Sequence, residues 1–320
     1  MKLIIQIPCY NEAETLPLTL SQLPRELNGV DVVEWLIIDD GSSDDTVAVA
    51  RAHGVDHVVS FTRNQGLAKG FIAGLDAALR HGADIIVNTD ADNQYRADDI
   101  SVLVQPILDA KADIVIGARP IQEIAHFSPL KKLLQGLGSS VVRAASHTEI
   151  PDAPSGFRAF SRDAAMRLNV FSDYTYTLET IIQAGQKNMA ITSVPVRVNR
   201  DERPSRLVNS ISSYIKRSMG TIVRIVAVYK PFRFFMTIGL ILFAMGFIVG
   251  LRYLYFWFSE EGGGHIQSLI LAALLMGMGM QAGLIAFIAE LLGVNRKLLE
   301  EIQYRLRRLE SSDEESDDDD

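Results

Sequence analysis

Apolar residues in the first two hundred positions come in short runs, each followed by a stretch with helical spacing. The runs at 2–7 (closed by Pro8), 33–38, 58–61, 85–89 and 114–117 read as strands. The stretches at 16–23, 46–53, 67–80 and 97–110 read as helices between them. Strand alternating with helix predicts an α/β sheet, and the chemistry-bearing polar residues fall just past strand ends, where open α/β sheets bind ligands.

After residue 230 the pattern changes. Residues 234–257 carry one charge, Arg252, and residues 266–292 carry one, Glu290. At about 1.5 Å of rise per residue, roughly 20 residues cross a ~30 Å hydrocarbon core, so both stretches read as membrane spans rather than buried core helices. Lys216, Arg217, Arg224, Lys230 and Arg233 precede the first; Arg296, Lys297, Arg305, Arg307 and Arg308 follow the second. The connecting loop has no Lys or Arg, so the positive-inside rule predicts a cytoplasmic N-terminal part and a cytoplasmic tail. The run at 2–7 is too short for a signal-peptide core, and no secretion is expected.

Between sheet and spans, Ile211, Ile215, Met219, Ile222 and Val226 recur at helical spacing among basic residues, which fits a helix on the membrane surface or one packed on the soluble part. Beyond the second span, Leu298, Leu299, Ile302, Leu306 and Leu309 form an apolar stripe able to pair with a sister chain. The expected organisation is therefore an α/β domain over 1–207, a juxtamembrane region over 208–230, a two-helix hairpin over 231–293, and a helix with an acidic tail over 294–320.

Charge alters this picture little. The formal net charge is -8, but eight acids lie in the last eleven residues, and without them 31 basic residues face 31 acidic ones. A neutral body gives no reason to expect nucleic acid. A single cysteine, Cys9, rules out an internal disulfide, and the six histidines show no H-E-x-x-H spacing. Neither a G-x-G-x-x-G turn nor a Walker loop is present.

Two acidic clusters remain. Asp90-Ala91-Asp92-Asn93-Gln94 follows a strand, and its two carboxylates fit either one hard cation or a solvated acidic turn. A calcium hand is excluded by Tyr95 and Ser101 at its sixth and twelfth positions. Asp39-Asp40-Gly41-Ser42 also ends a strand, and its adjacent acids repel unless a ligand or cation uses them; a base N–H or a ribose hydroxyl is a suitable donor.

Pro8-x-Tyr10-Asn11-Glu12, Asp39-Asp40-Gly41-Ser42, Asn64-x-Gly66-x-x-x-Gly70 and Asp90-x-Asp92-x-Gln94 occur in this order, followed by Asp152-x-x-Ser155-Gly156-Phe157-Arg158 and Arg203-Pro204-Ser205-Arg206-Leu207. Together they resemble glycosyltransferase family 2, in its polyprenyl-phosphate branch. The resemblance covers about residues 1 to 210 and implies an α/β fold of the GT-A type, which binds nucleotide sugars, with a C-terminal transmembrane hairpin. It also implies a nucleotide-sugar site bordered by Pro8, Tyr10, Glu12, Asp39, Asp40, Gly66, Lys69, Asp90 and Ala91. By the same resemblance Asp90, Asp92 and Gln94 hold Mg2+ or Mn2+ against the diphosphate, and Asp152, Asp92 and Arg119 carry the catalytic roles. Ser155, Arg203, Ser205 and Arg206 are implied at the lipid phosphate or diphosphate, although many relatives have Gly-x-Ser-Lys where this chain has Arg203-Pro204-Ser205-Arg206. The two arginines equally suit a juxtamembrane stretch attracted to anionic lipid.

The implied reaction is inverting transfer of one sugar from a nucleotide donor, UDP favoured over GDP, to a membrane polyprenyl phosphate. A processive polysaccharide synthase shares the early motifs, but its Q-x-x-R-W motif is absent. A non-catalytic scaffold predicts lost metal ligands, whereas Asp90 and Asp92 are intact.

Overall fold

The computed structural model describes residues 1–120, 148–170, 176–199, 226–259 and 266–317, with positions 140, 143, 146, 220, 223 and 224. They form two compact units, one of residues 1–218 and 300–320, the other of residues 219–299.

The first unit is built on a seven-stranded sheet of order β3-β2-β1-β4-β6-β5-β7. Its strands are β1 (Lys2–Cys9), β2 (Val32–Asp39), β3 (His57–Ser60), β4 (Ile85–Asn88), β5 (Ile114–Ala118), β6 (Arg158–Ser161) and β7 (Ile191–Pro195). The helices are α1 (Leu16–Gln22), α2 (Thr46–Ala52), α3 (Leu67–Arg80), α4 (Ile100–Leu108), α5 (Arg162–Arg167) and α6 (Thr177–Gln186). Strands β1 to β4 are mutually parallel, and β6 runs antiparallel between β4 and β5. The order reverses beside β1, so the carboxyl ends of β1, β2 and β4 open onto one crevice.

β1 is apolar on both faces because both are covered. Leu3, Ile5 and Ile7 join one core with Val33, Trp35, Ile37 and the α4 residues Leu103 and Val104. Against the other face packs α3, whose Phe71 and Leu75 are buried. Gly74 allows the helix close: a β-carbon there would meet the Gln6 amide oxygen and stand 2.8 Å from Ile38 Cδ1. Pro8 does not end β1, as the sequence led one to expect; it pairs with Ile38. It lies past Gln6, the last residue paired with β4, where β1 has a partner on one side only and a missing N–H is tolerated.

In the second unit, α7 (Pro231–Phe258) and α8 (Ile266–Asp317) are both long and apolar enough to cross a membrane. They pack through small residues: a β-carbon on Gly239 would lie 2.8 Å from Gly279 O, and one on Gly246 would lie 2.8 Å from Met276 N. Ala272 and Ala286 are buried. The helix expected after the second span is not separate, since α8 continues unbroken to Asp317. Residues 300–309 of α8 belong to the first unit. There Glu300 pairs with Lys187 at 3.0 Å, Arg307 pairs with Asp76 at 2.9 Å, and the Arg307 guanidinium donates to the carbonyls of Met166 and Leu168. The Tyr304 hydroxyl donates to Asp163. Most of the expected juxtamembrane helix, 208–230, lies outside the described residues.

Candidate active site

The loops after β1 and β2 hold each other. Asn11 takes a left-handed φ of 54°, its N–H donates to Ser42 Oγ at 2.9 Å, and its side-chain oxygen accepts from Ser43 N at 2.8 Å. Glu12 N donates to Thr46 Oγ1 at 2.9 Å, which ties the start of α2 to the same corner. Tyr10 is exposed beside this corner, with Pro8 half-buried and Glu12 buried.

Asp39 and Asp40, nearly inaccessible, are both occupied within the chain. Asp39 accepts from Ser42 N at 3.0 Å. Asp40 accepts from Gln65 N at 2.6 Å and Gly66 N at 2.9 Å, one amide on each oxygen. The adjacent acids thus need no cation: backbone N–H groups at the entry to α3 stabilise one of them. Gly41 makes the approach possible, because a β-carbon would sit 2.6 Å from the Arg63 carbonyl carbon. Lys69 is exposed on the first turns of α3.

The Asp90–Gln94 turn leaves β4 through Asn88. That side chain accepts from Gln6 Nε2 at 2.9 Å and lies 2.9 Å from both Gly156 O and Tyr176 Oη through its own amide. Asn93 sits at φ 54°, and Gln94 N donates to Asp92 Oδ1 at 3.2 Å. From beyond β7, Asn199 clamps the turn: its side-chain amide donates to Asn93 O at 2.8 Å and its N–H to Gln94 O at 2.9 Å. Ala91 is buried, its carbonyl accepting from Thr19 Oγ1. Burial first, and then the nearby Asp92, push the Asp90 carboxyl up to about 7.

The loop preceding β6 lies against this turn because Asn88 and Arg158 are register partners in β4 and β6. Gly156 is backed directly by Asp90: a β-carbon would stand 3.1 Å from its Oδ1. Gly156 N donates to Tyr95 Oη at 3.2 Å, and the Tyr95 ring stacks on Phe157 at 4.9 Å. Asp152, buried, is gripped by Arg119 at the end of β5: Nε to Oδ2 is 2.7 Å, Nη2 to Oδ1 is 3.0 Å, and the Arg119 N–H adds a third bond at 3.2 Å. Burial works against the Arg119 charge, but Tyr95 and the Asp152 carboxylate outweigh it and the guanidinium stays protonated.

Arg158 is wholly buried. Its guanidinium donates to the carbonyls of Ser155, Ala153 and Thr177, each at 2.7 Å, and to Thr180 Oγ1 at 2.6 Å. Burial lowers its pKa to about 10, which still leaves it charged near neutrality. Ser155 is buried in the same loop. Sequence reasoning missed Asn88, Tyr95, Tyr176 and Asn199 as supports. Asn88 alone left a signal, as an amide inside the apolar run Ile85-Ile86-Val87. Arg203, Ser205 and Arg206 lie outside the described residues.

A divalent cation fits Asp90 and Asp92 chemically. A cation held there would offset the burial and the Asp92 charge that raise Asp90, and two carboxylates would leave positions for water and phosphate oxygens, as suits Mg2+ or Mn2+. Among the described residues no group of three or more His, Cys, Asp or Glu side chains is placed to hold a metal, so Asp90 and Asp92 would act as a pair. Cys9 takes no part: its thiol donates to Ile7 O, and burial pushes its pKa up.

A mixed sheet with a paired-carboxylate turn at its crevice is the architecture of a GT-A glycosyltransferase domain, and solved structures agree on the fold. Glucosyl-3-phosphoglycerate synthase from Mycobacterium tuberculosis, in complex with Mn2+, UDP and glucosyl-3-phosphoglycerate, matches with a TM-score of 0.54 at 20% identity, over 71% of this chain and 79% of that one. The sequence profile of Glycosyl transferase family 2 matches residues 4–168, and the chain belongs to that family. It is 28% identical over 222 residues to undecaprenyl-phosphate mannosyltransferase of Micrococcus luteus, covering 66% of this chain and 89% of the relative. To UDP-N-acetylglucosamine–dolichyl-phosphate N-acetylglucosaminyltransferase of Methanococcus voltae it is 30% identical over 216 residues, 60% of this chain and 83% of the relative.

Proposed function

We propose that this protein transfers a single sugar from a nucleoside diphosphate sugar, UDP favoured, to the phosphate of a membrane polyprenyl phosphate, with inversion at the anomeric carbon. The observation that carries this reading is the convergence of Asp90 and Asp92 with the Arg119–Asp152 pair at one sheet edge, in a chain that also has two candidate spans. The names of its relatives support the acceptor class.

In this reading the β1 and β2 loops, with Tyr10, Glu12 and Asp39, receive the base and ribose. Asp40 acts through the loop it braces, at Gln65 and Gly66. Lys69 faces the donor, and Gln94 completes the metal turn. A cation bound by Asp90 and Asp92 would supply Lewis acidity toward the diphosphate. The acceptor phosphate oxygen attacks the anomeric carbon while the bond to the nucleoside diphosphate breaks on the opposite side. No proton has to be removed, because the phosphate is already ionised. Asp152, with both oxygens committed to Arg119, orients that guanidinium and shapes the acceptor side. Ser155, Arg203, Ser205 and Arg206 are assigned to phosphate groups, and the catalytic domain and tail to the cytoplasm.

The test is transfer by purified protein in detergent, with polyprenyl phosphate, Mg2+ or Mn2+, and separate labelled UDP- and GDP-sugars. Label extracted into organic solvent as a monosaccharide phospholipid, and lost in Asp92→Ala, is the expected result. Label in a water-soluble polymer would point to a synthase. The absence of both transfer and nucleotide binding would sink the reading.

A further inference from the structure

The end of α8 has two faces of opposite character. Glu300, Tyr304 and Arg307 engage the catalytic unit. Leu299, Ile302, Leu306 and Leu309 are 54–65% exposed, although the chain around them is charged and follows the apolar span. Their spacings of three, four and three residues are those of a coiled-coil seam, not of a broad amphipathic face. Leu298 is exposed beside Leu299, but from there on Glu301, Gln303, Arg305 and Arg308 crowd the strip, which is narrower than the broad apolar face of a helix lying on a bilayer.

The same three-four alternation runs back along α8 without interruption to Leu274, and two amides, Gln281 and Asn295, fall on it two heptads apart. Both are exposed. Gln281 lies in the middle of the apolar stretch 266–292, where an unpaired amide in hydrocarbon is costly. Copies of one chain inserted in one membrane share a direction, so their α8 helices run parallel. In register, each amide then meets its own counterpart, the arrangement in which polar seam residues are tolerated and fix alignment. Across such a seam Arg305 falls opposite position 310 of the other chain, which is Glu.

We propose that α8 associates with α8 of a second copy of this chain as a parallel, in-register coiled coil along the strip from Leu274 to Leu309. Glu300, Tyr304 and Arg307 lie off the strip, so pairing leaves their contacts in place.

Single cysteines placed in the full-length protein in native membranes test this, with buried Cys9 retained. Leu299→Cys, Ile302→Cys and Leu306→Cys are expected to form disulfide-linked dimers on mild oxidation, at least ~10-fold more than Glu301→Cys and Arg308→Cys. Linkage without that periodicity, or none at seam positions, overturns the proposal. Seam cysteines that fail to link yet are shielded from a water-soluble maleimide would show lipid covering the strip and overturn it too. As a second arm, the Leu299→Lys/Leu306→Lys variant is expected to fall to the monomer mass in detergent; an unchanged mass overturns the proposal. Neither arm reads glycosyl transfer, so failure here and failure of the proposed function are distinguishable.

Discussion

A guanidinium with no exposed surface ordinarily needs a carboxylate, but Arg158 is solvated by three carbonyls and a hydroxyl drawn from the 153–155 loop and the start of α6. Its charge is therefore not cancelled locally, and it works in favour of the ionised form of Asp90. Arg158→Met leaves those oxygens unpaired in the interior and is expected to cost about 3–5 kcal/mol, the range for breaking a buried charged network. Arg158→Lys keeps the charge with fewer donors and should fall between; thermal unfolding in detergent orders the three proteins. Asp90 gives a pH signature. Its carboxyl titrates near 7 when folded, far above an unfolded aspartate, so the metal-free protein is favoured at low pH and loses that contribution as pH rises through about 7. Mn2+ binds the ionised form, so the rise in Tm caused by Mn2+ should grow between pH 6 and pH 8. An equal rise at both would contradict the assignment, and Asp90→Asn should abolish it.

At the scale of elements, the two glycines of α3 that pack toward the sheet separate propensity from packing. A β-carbon at Gly70 meets Ile38 at an ordinary 3.7 Å, whereas at Gly74 it meets the Gln6 amide and stands 2.8 Å from Ile38. Gly70→Ala should hold or raise stability by up to about 1 kcal/mol, while Gly74→Ala should lose about 1–3 kcal/mol despite the same helix-propensity gain; chemical denaturation measures both. The apolar pattern located β1 to β5, α1 to α4 and α7 to within a few residues and the start of α8, whose end it set at 292 although the helix runs to Asp317; the two long helices showed through the length of their apolar runs and the rest through short apolar runs or helical spacing. It did not show β6, α5, α6 or β7. β6 is four residues long and opens with the buried Arg158, which no period-two rule places inside; β7 is only partly buried. In the site, the motifs marked Asp90, Asp92, Asp152 and Arg119, but what holds them was not legible. Asn199 reaches the Asp90–Gln94 turn from 106 residues away, and Asp40 turns out to bind backbone amides rather than demanding a cation.

For the whole molecule, the sheet unit takes in the last turns of α8 as one of its own parts. Arg307→Ala removes the ion pair to Asp76 and the donors to Met166 and Leu168. Backbone amides at 300–309 should then exchange with deuterium at least ~10-fold faster, as a docked helix end becomes a frayed one, while those of β1 stay unchanged. Ala272, Gly279 and Ala286 are buried in the hairpin, and Glu300 and Arg307 are held in the sheet unit. The three hairpin positions share one phase, separated by sevens. Within the hairpin the helix thus behaves like a key with teeth cut on one edge, and its register is quantised. Adding one residue between Ala272 and Ala286 turns the far tooth by about 100° and misaligns it within the hairpin, whereas adding a full seven advances it by two turns and restores its phase.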